Sequence, residues 1–182
     1  MYCFSQLSLI KNAESKCHGK GVMLAETPLI WLAIINTVGI PITHLLVAWL
    51  STLLPQAWFR KASDTSPSTD GKSTVCYETI FFIRSWKGLL PDGAAWFKGF
   101  PKGTLESKDP NYLRTFIAET RRGELSHWLQ VIAISSFTLF NPWPAILIIV
   151  VYSIISNTPC ILNLRYTRVR MLRVLANKPS DC

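Results

Sequence analysis

The sequence predicts an all-α integral membrane protein. It has one N-terminal transmembrane helix, a cytoplasmic or interfacial amphipathic region, and a C-terminal helical hairpin. Three observations predict this. Only 16% of the 182 residues are charged, against roughly 25% in an ordinary soluble domain. Three apolar segments contain no Asp, Glu, Lys or Arg. Seven Trp and nine Phe accompany them, and aromatic rings favour the membrane–water interface.

The net charge of +8 is better matched to anionic lipid headgroups and the positive-inside rule than to nucleic acid. The cysteines, Cys3, Cys17, Cys76, Cys160 and Cys182, are scattered and odd in number. They form neither a metal site nor a disulfide framework, and Cys182 does not sit in a prenylation box.

Residues 1–22 are polar and mixed, and their apolar core is too short for a signal peptide. They are expected to be a disordered extension, with Met23 as the true start and residues 23–182 as a single membrane domain. The first apolar segment, 28–54, is long enough to cross a bilayer of roughly 30 Å. Pro28 suits a first helical turn, and Gly39 with Pro41 predicts a kink. Asn36 and His44 lie eight residues apart, so they project from nearly the same helical face. His44 reads as a satisfied buried histidine.

Residues 55–109 are the cytoplasmic, interfacial region. SDTSPSTDGKST (63–74) is a loop by composition. YETIFFIRSWKGLLPDGAAWFKGFPKG (77–103) mixes aromatic and basic residues. It reads either as a membrane-surface segment or as ordinary amphipathic packing. Asp109-Pro110 marks a helix start. The helix it opens runs on into the apolar residues 128–140. Asn141-Pro142-Trp143-Pro144 is a strong turn signal, and the apolar segment 145–164 follows. Residues 110–140 and 145–164 thus form a helical hairpin. The basic tail, 165–182, is expected to return to the surface. Of the 19 Lys and Arg, 11 lie between residues 55 and 127 and 5 after Leu164. That places the middle region and the C-terminus in the cytoplasm of a multi-pass membrane protein.

The stretch ETRRGELSHW (119–128) carries the chemistry. Glu119 and Arg122 are three residues apart and can pair, as can Glu124 and His127. Ionisable groups at a lipid boundary are costly unless paired or functional. A carboxylate held against a histidine orients the ring and raises its basicity. The imidazole can then take the proton of a hydroxyl attacking a carbonyl. Nearby arginines suit the anionic part of an acyl donor or an oxyanion. The alternative is a set of ion pairs finishing an interfacial helix. Asn157 suits an interhelical bond or a substrate contact. Arg165, Arg168, Arg170 and Arg173 suit a lipid-facing basic end or an anion clamp. Ser126 lacks a G-x-S-x-G context. No P-loop, GxGxxG or HExxH motif is present, and no metal ligand set is expected.

WKGLLPDGAAWFKGFPKG, FIAETRRGELSHW, YSIISNTPCILNLRYTRVRMLRVL and WLAIINTVGIPITHLLVAWL together resemble the glycosyl-4,4'-diaponeurosporenoate acyltransferase family. The likeness covers about residues 28–176. It implies small bacterial membrane enzymes that place a fatty acyl chain on a sugar hydroxyl of a glycosylated carotenoid, in staphyloxanthin-type pigment synthesis. The family pattern falls on Trp86, Lys87 and Asp92. It falls next on Glu119, Arg122, Glu124, His127 and Trp128, then on Asn157, Pro159, Arg165, Tyr166, Arg168 and Arg170. Thr167 and Val169 depart from it, standing where the family has Asn and Pro.

The expectation is therefore a membrane-bound O-acyltransferase. His127 is the general base oriented by Glu124, with Glu119 and Arg122 in support. Trp86, Lys87, Asp92, Asn157, Arg165, Tyr166, Arg168 and Arg170 are the substrate contacts. No cofactor is expected to be bound: the acyl donor, an acyl-CoA or a phospholipid, is a co-substrate. The partners are membrane lipid and a glycosylated lipid or carotenoid acceptor, with no nucleic acid. The rivals are a non-catalytic lipid-binding or scaffold protein and a transferase of another group. The sequence carries no signal for oligomeric state.

Overall fold

The computed structural model describes residues 29–64, 72–90, 100 and 105–177. The expected extension 1–22, the start at Met23 and the substrate residue Asp92 lie outside the described residues. The described elements are α1 (Leu29–Thr52), α2 (Gln56–Asp64), α3 (Lys72–Ile80) and α4 (Ile83–Trp86), then α5 (Pro110–Ser135) and α6 (Trp143–Ala176). Short 3-10 turns at Lys87–Leu89 and Ser136–Phe140 extend α4 and α5. The described residues contain no strand, so the fold is all-helical. Two helices, α1 and α6, are long and apolar enough to cross a membrane.

Helix α5 begins where the sequence marks a start. The Asp109 carboxylate accepts hydrogen bonds from the backbone N–H of Asn111 at 2.9 Å and of Tyr112 at 3.1 Å. Pro110 fills the first helical position, where no N–H is needed. The helix then passes through the charged stretch into apolar sequence without a break. At its far end Asn141 Nδ2 donates to the Phe137 carbonyl at 2.8 Å, closing the turn. Trp143 and Pro144, expected in the turn, already belong to the first turn of α6.

The tail differs from expectation. Helix α6 does not stop near Leu164 but runs unbroken for 34 residues to Ala176. Packing explains it. Met171 is buried with Leu113, Phe116 and Ile117 of α5, and Leu172 and Leu175 pack against that cluster. Phe100 completes the layer, meeting Phe116 edge to face at 5.7 Å. The tail's apolar residues at helical spacing therefore bury against α5, and its arginines find partners across the hairpin.

Helix α1 is also continuous through Gly39 and Pro41. Pro41 cannot donate to the carbonyl four residues back, and Thr43 Oγ1 bonds the neighbouring Gly39 carbonyl at 2.8 Å. At Gly39 the backbone of α1 comes close to the hairpin. A Cβ built there lies 2.9 Å from Cε1 of Phe137. Gly39→Leu is expected to push α1 off the hairpin at a cost of roughly 1–3 kcal/mol. Thermal unfolding in detergent measures this, and an unchanged midpoint contradicts the close approach.

A seam of polar side chains ties the three long helices together. From the hairpin tip inward, Asn36 and Asn141 exchange reciprocal amide bonds at 2.7 and 3.1 Å. Ser135 and Ser153 face each other at 3.3 Å. His44 Nδ1 meets Gln130 Oε1 at 3.1 Å, and Gln130 Nε2 reaches the His44 carbonyl at 3.3 Å. Thus Asn36 and His44 do share one face, turned toward the hairpin. In an apolar surround such bonds average about 0.6 kcal/mol each, so the seam works as a register device as much as a source of stability.

Candidate active site

The seam continues into the charged stretch. His127 stands on α5 and Asn157 on α6, and Nδ1 of the ring lies 2.9 Å from the Asn157 Oδ1. Asn157 is 1% exposed. Its Nδ2 donates to the Ser153 carbonyl at 2.9 Å, which fixes the amide with Oδ1 toward the histidine. An amide oxygen only accepts, so His127 Nδ1 carries the proton. In the neutral ring Nε2 is then the nitrogen without a proton.

One turn away, Glu124 is held from α6. Arg165 Nε and Nη2 each reach Oε1 at 2.6 Å, and Arg168 Nη2 reaches Oε2 at 2.7 Å. This corrects the expected Glu124–His127 dyad: both carboxylate oxygens are spent on arginines, and Asn157 occupies the place beside the ring. Charge explains the outcome, since a carboxylate binds a guanidinium in a fork with two charge-assisted bonds. Burial pushes the Glu124 carboxyl up, but the bonds from Arg165 and Arg168 outweigh it. They hold the group below its ordinary 4.5.

A group depressed on folding stabilises above its unfolded pKa, and that contribution is lost as pH falls through the folded value. The thermal midpoint is therefore expected to drop on acidification below about pH 4. Glu124→Gln should flatten that fall, and an equally steep fall in the variant would contradict the assignment.

The Glu119–Arg122 pair forms as the spacing predicts, at 2.7 Å, with the two side chains only 3% and 15% exposed. It joins the hairpin to α1 and α2. Gln56 Nε2 donates to Glu119 Oε1 at 3.2 Å, and Arg122 Nη1 to the Thr52 carbonyl at 3.4 Å.

A second group of expected contacts gathers around Tyr166. The ring is fully buried, and its hydroxyl donates to Glu78 Oε1 at 2.7 Å. Lys87 and Arg170 lie over the ring at 5.6 and 5.7 Å from its centroid, within cation–π range. Trp86, half-buried beside them, donates its indole N–H to the Phe81 carbonyl at 2.8 Å. These residues dock α3 and the turn after α4 onto α6. Sequence reasoning missed Gln130, Glu78 and Arg121 as members of the polar network. Arg121 and Gln130 each stand three residues from a residue it did single out, Glu124 and His127, the spacing that puts side chains on one helix face.

Fold and site define an all-helical protein with two helices of membrane-crossing length and an orderly set of ionisable groups where the apolar segments end. A family model described as glycosyl-4,4'-diaponeurosporenoate acyltransferase matches residues 55–177, and the chain belongs to that family. It is an acyltransferase. It is similar to the glycosyl-4,4'-diaponeurosporenoate acyltransferase of Staphylococcus aureus strain Newman, 29% identical over 75% of this chain and 86% of that one. It is likewise similar to the proteins of that name from strains bovine RF122 / ET3-1 and MRSA252. Each is 28% identical over 74% of this chain and 82% of the relative. No solved structure matches.

Proposed function

We propose that the chain is a membrane-bound O-acyltransferase. It moves a fatty acyl chain from an acyl-CoA or a phospholipid to a sugar hydroxyl of a glycosylated carotenoid or a similar glycolipid. The work is done at the cytoplasmic face of a bacterial cell membrane that the chain crosses more than once, with its C-terminus cytoplasmic.

The observation that carries this reading is the His127–Asn157 pair, set at the boundary between uncharged and charged sequence. No Asp, Glu, Lys or Arg occurs from Leu29 to Leu54 or from Leu125 to Leu164. Exposed tryptophans flank this zone, Trp31 and Trp143 toward the hairpin tip and Trp49 and Trp128 toward the charged end. Trp31 and Trp49 lie roughly 27 Å apart along α1, close to the thickness of a hydrocarbon core. A histidine at that boundary would meet a polar donor from one side and a lipid-soluble acceptor from the other.

In the step itself, Nε2 of His127 takes the proton of the sugar hydroxyl as its oxygen attacks the donor's carbonyl carbon. The new C–O ester bond forms. The C–S bond of a thioester, or the C–O bond of a phospholipid ester, breaks. The imidazolium returns its proton to the leaving thiolate or alkoxide. Asn157 holds the ring through Nδ1. Glu124, Arg165 and Arg168 set the spacing of the two helices at the mouth, and Lys87 and Arg170 line the approach.

The test supplies purified protein with each donor class and a glycosylated acceptor, and reads products by mass spectrometry. The expected product gains one acyl chain on its sugar part, located by fragmentation. No transfer from either donor would sink the reading and leave the non-catalytic alternative.

A further inference from the structure

Two guanidinium groups hold one carboxylate where α5 and α6 meet, and a third stands on the same helix face. Arg165 and Arg168 hold both oxygens of Glu124. Arg121 stands three residues before Glu124 on the same face of α5. It is close enough to Arg168 and Glu124 to feel both charges. Its Nε is buried and has no hydrogen-bond partner. Around Glu124, three cations face one anion.

Such an excess is unfavourable for the protein alone. Burial first, and Arg168 second, lower the Arg121 pKa, while Glu124 offsets part of that. A guanidinium still stays charged, so Arg121 remains a cation only partly offset by Glu124, with its buried Nε donor unpaired. An anion from outside supplies what is missing, and a phosphate matches a guanidinium fork best.

We propose that Arg121, with Arg168 beside it, binds the phosphate of the acyl donor. The inference rests on the acyl-transfer reading and deepens it by naming the residues that hold the donor's phosphate. His127 lies six residues further along α5, roughly 9 Å toward the apolar zone. A donor anchored by phosphate at Arg121 reaches the histidine by running along α5 and about 120° around it, past Glu124. The shared chemistry belongs to coenzyme A thioesters and to anionic phospholipids alike.

The test titrates the purified protein, in an uncharged maltoside detergent, with palmitoyl-CoA in one arm and phosphatidylglycerol in the other. Native mass spectrometry reads binding. Arg121→Gln is expected to weaken binding at least tenfold in one arm, and that arm identifies the donor. Arg121→Lys should keep part of the affinity, because it keeps the charge but not the fork. The thermal midpoint of Arg121→Gln should hold or rise, since a cation only partly offset is gone. Unchanged binding in both arms overturns the proposal, as does a lowered midpoint with binding intact. Acyl transfer is assayed separately on the same samples. Arg121-dependent binding without any transfer keeps the phosphate site and removes the acyl-transfer reading. Transfer by Arg121→Gln at the wild-type KM for donor does the reverse.

Discussion

His127→Ala is expected to lower the rate of acyl transfer by roughly 10²–10⁴-fold, the range a positioned general base supplies. The protein should remain folded. Its helical signal should persist, because the bond to Asn157 is only one of the hairpin's ties and the others remain. Some stability is lost, since a buried amide oxygen without its donor costs about 1–3 kcal/mol. The base role is separated from a packing role by Asn157→Asp. A carboxylate beside the ring favours the imidazolium, so the acid limb of the pH–rate profile should move to higher pH. A histidine that only packs would leave that limb in place. A folded His127→Ala enzyme working within threefold of wild type would remove the mechanism.

Glu124→Ala is expected to carry a large stability cost. The carboxylate is 14% exposed and joins two arginines that are 42% and 18% exposed. Removing one member of a buried ion cluster costs about 3–5 kcal/mol when the survivors are fully buried. Part of this cluster meets solvent, so a loss on the order of 2–3 kcal/mol is expected. Most of it comes from Arg165, Arg168 and Arg121 left facing one another. The double variant Arg121→Gln with Glu124→Ala should therefore recover part of the loss, a non-additivity that thermal unfolding of the four proteins measures. Strictly additive midpoints would show that Arg121 does not share the cluster's field.

Much of the helical layout was legible because it rests on local chemistry. Asp109-Pro110 announces a helix start through its own side chain, and Asn141-Pro142 a turn. The Glu119–Arg122 pair follows from spacing on a single helix. The true partners of His127 and Glu124 were not legible, because both come from α6. Only the crossing of two antiparallel helices decides that Asn157 meets residue 127 while Arg165 and Arg168 meet residue 124. Spacing within one helix made Glu124–His127 the natural pair, and charge across the hairpin overrode it. The length of α6 was hidden for a related reason. Its arginines read as solvated until the buried Met171 and the carboxylate opposite them come into view.

The unbroken course of α6 bears on how the three long helices are joined. Asn157 and Arg168 ride on one rod, and Glu124 and His127 on another. The two rods are locked by Glu124 above and the serines 135 and 153 below. Separating base from anion site would mean unwinding a helix. Helix α1 is held more lightly, by side-chain amides near its start and middle and by a single long bond to the Thr52 carbonyl at its end. Among the described residues the hairpin is thus cross-linked by charged and polar side chains along its length, and α1 is joined to it mainly through neutral ones.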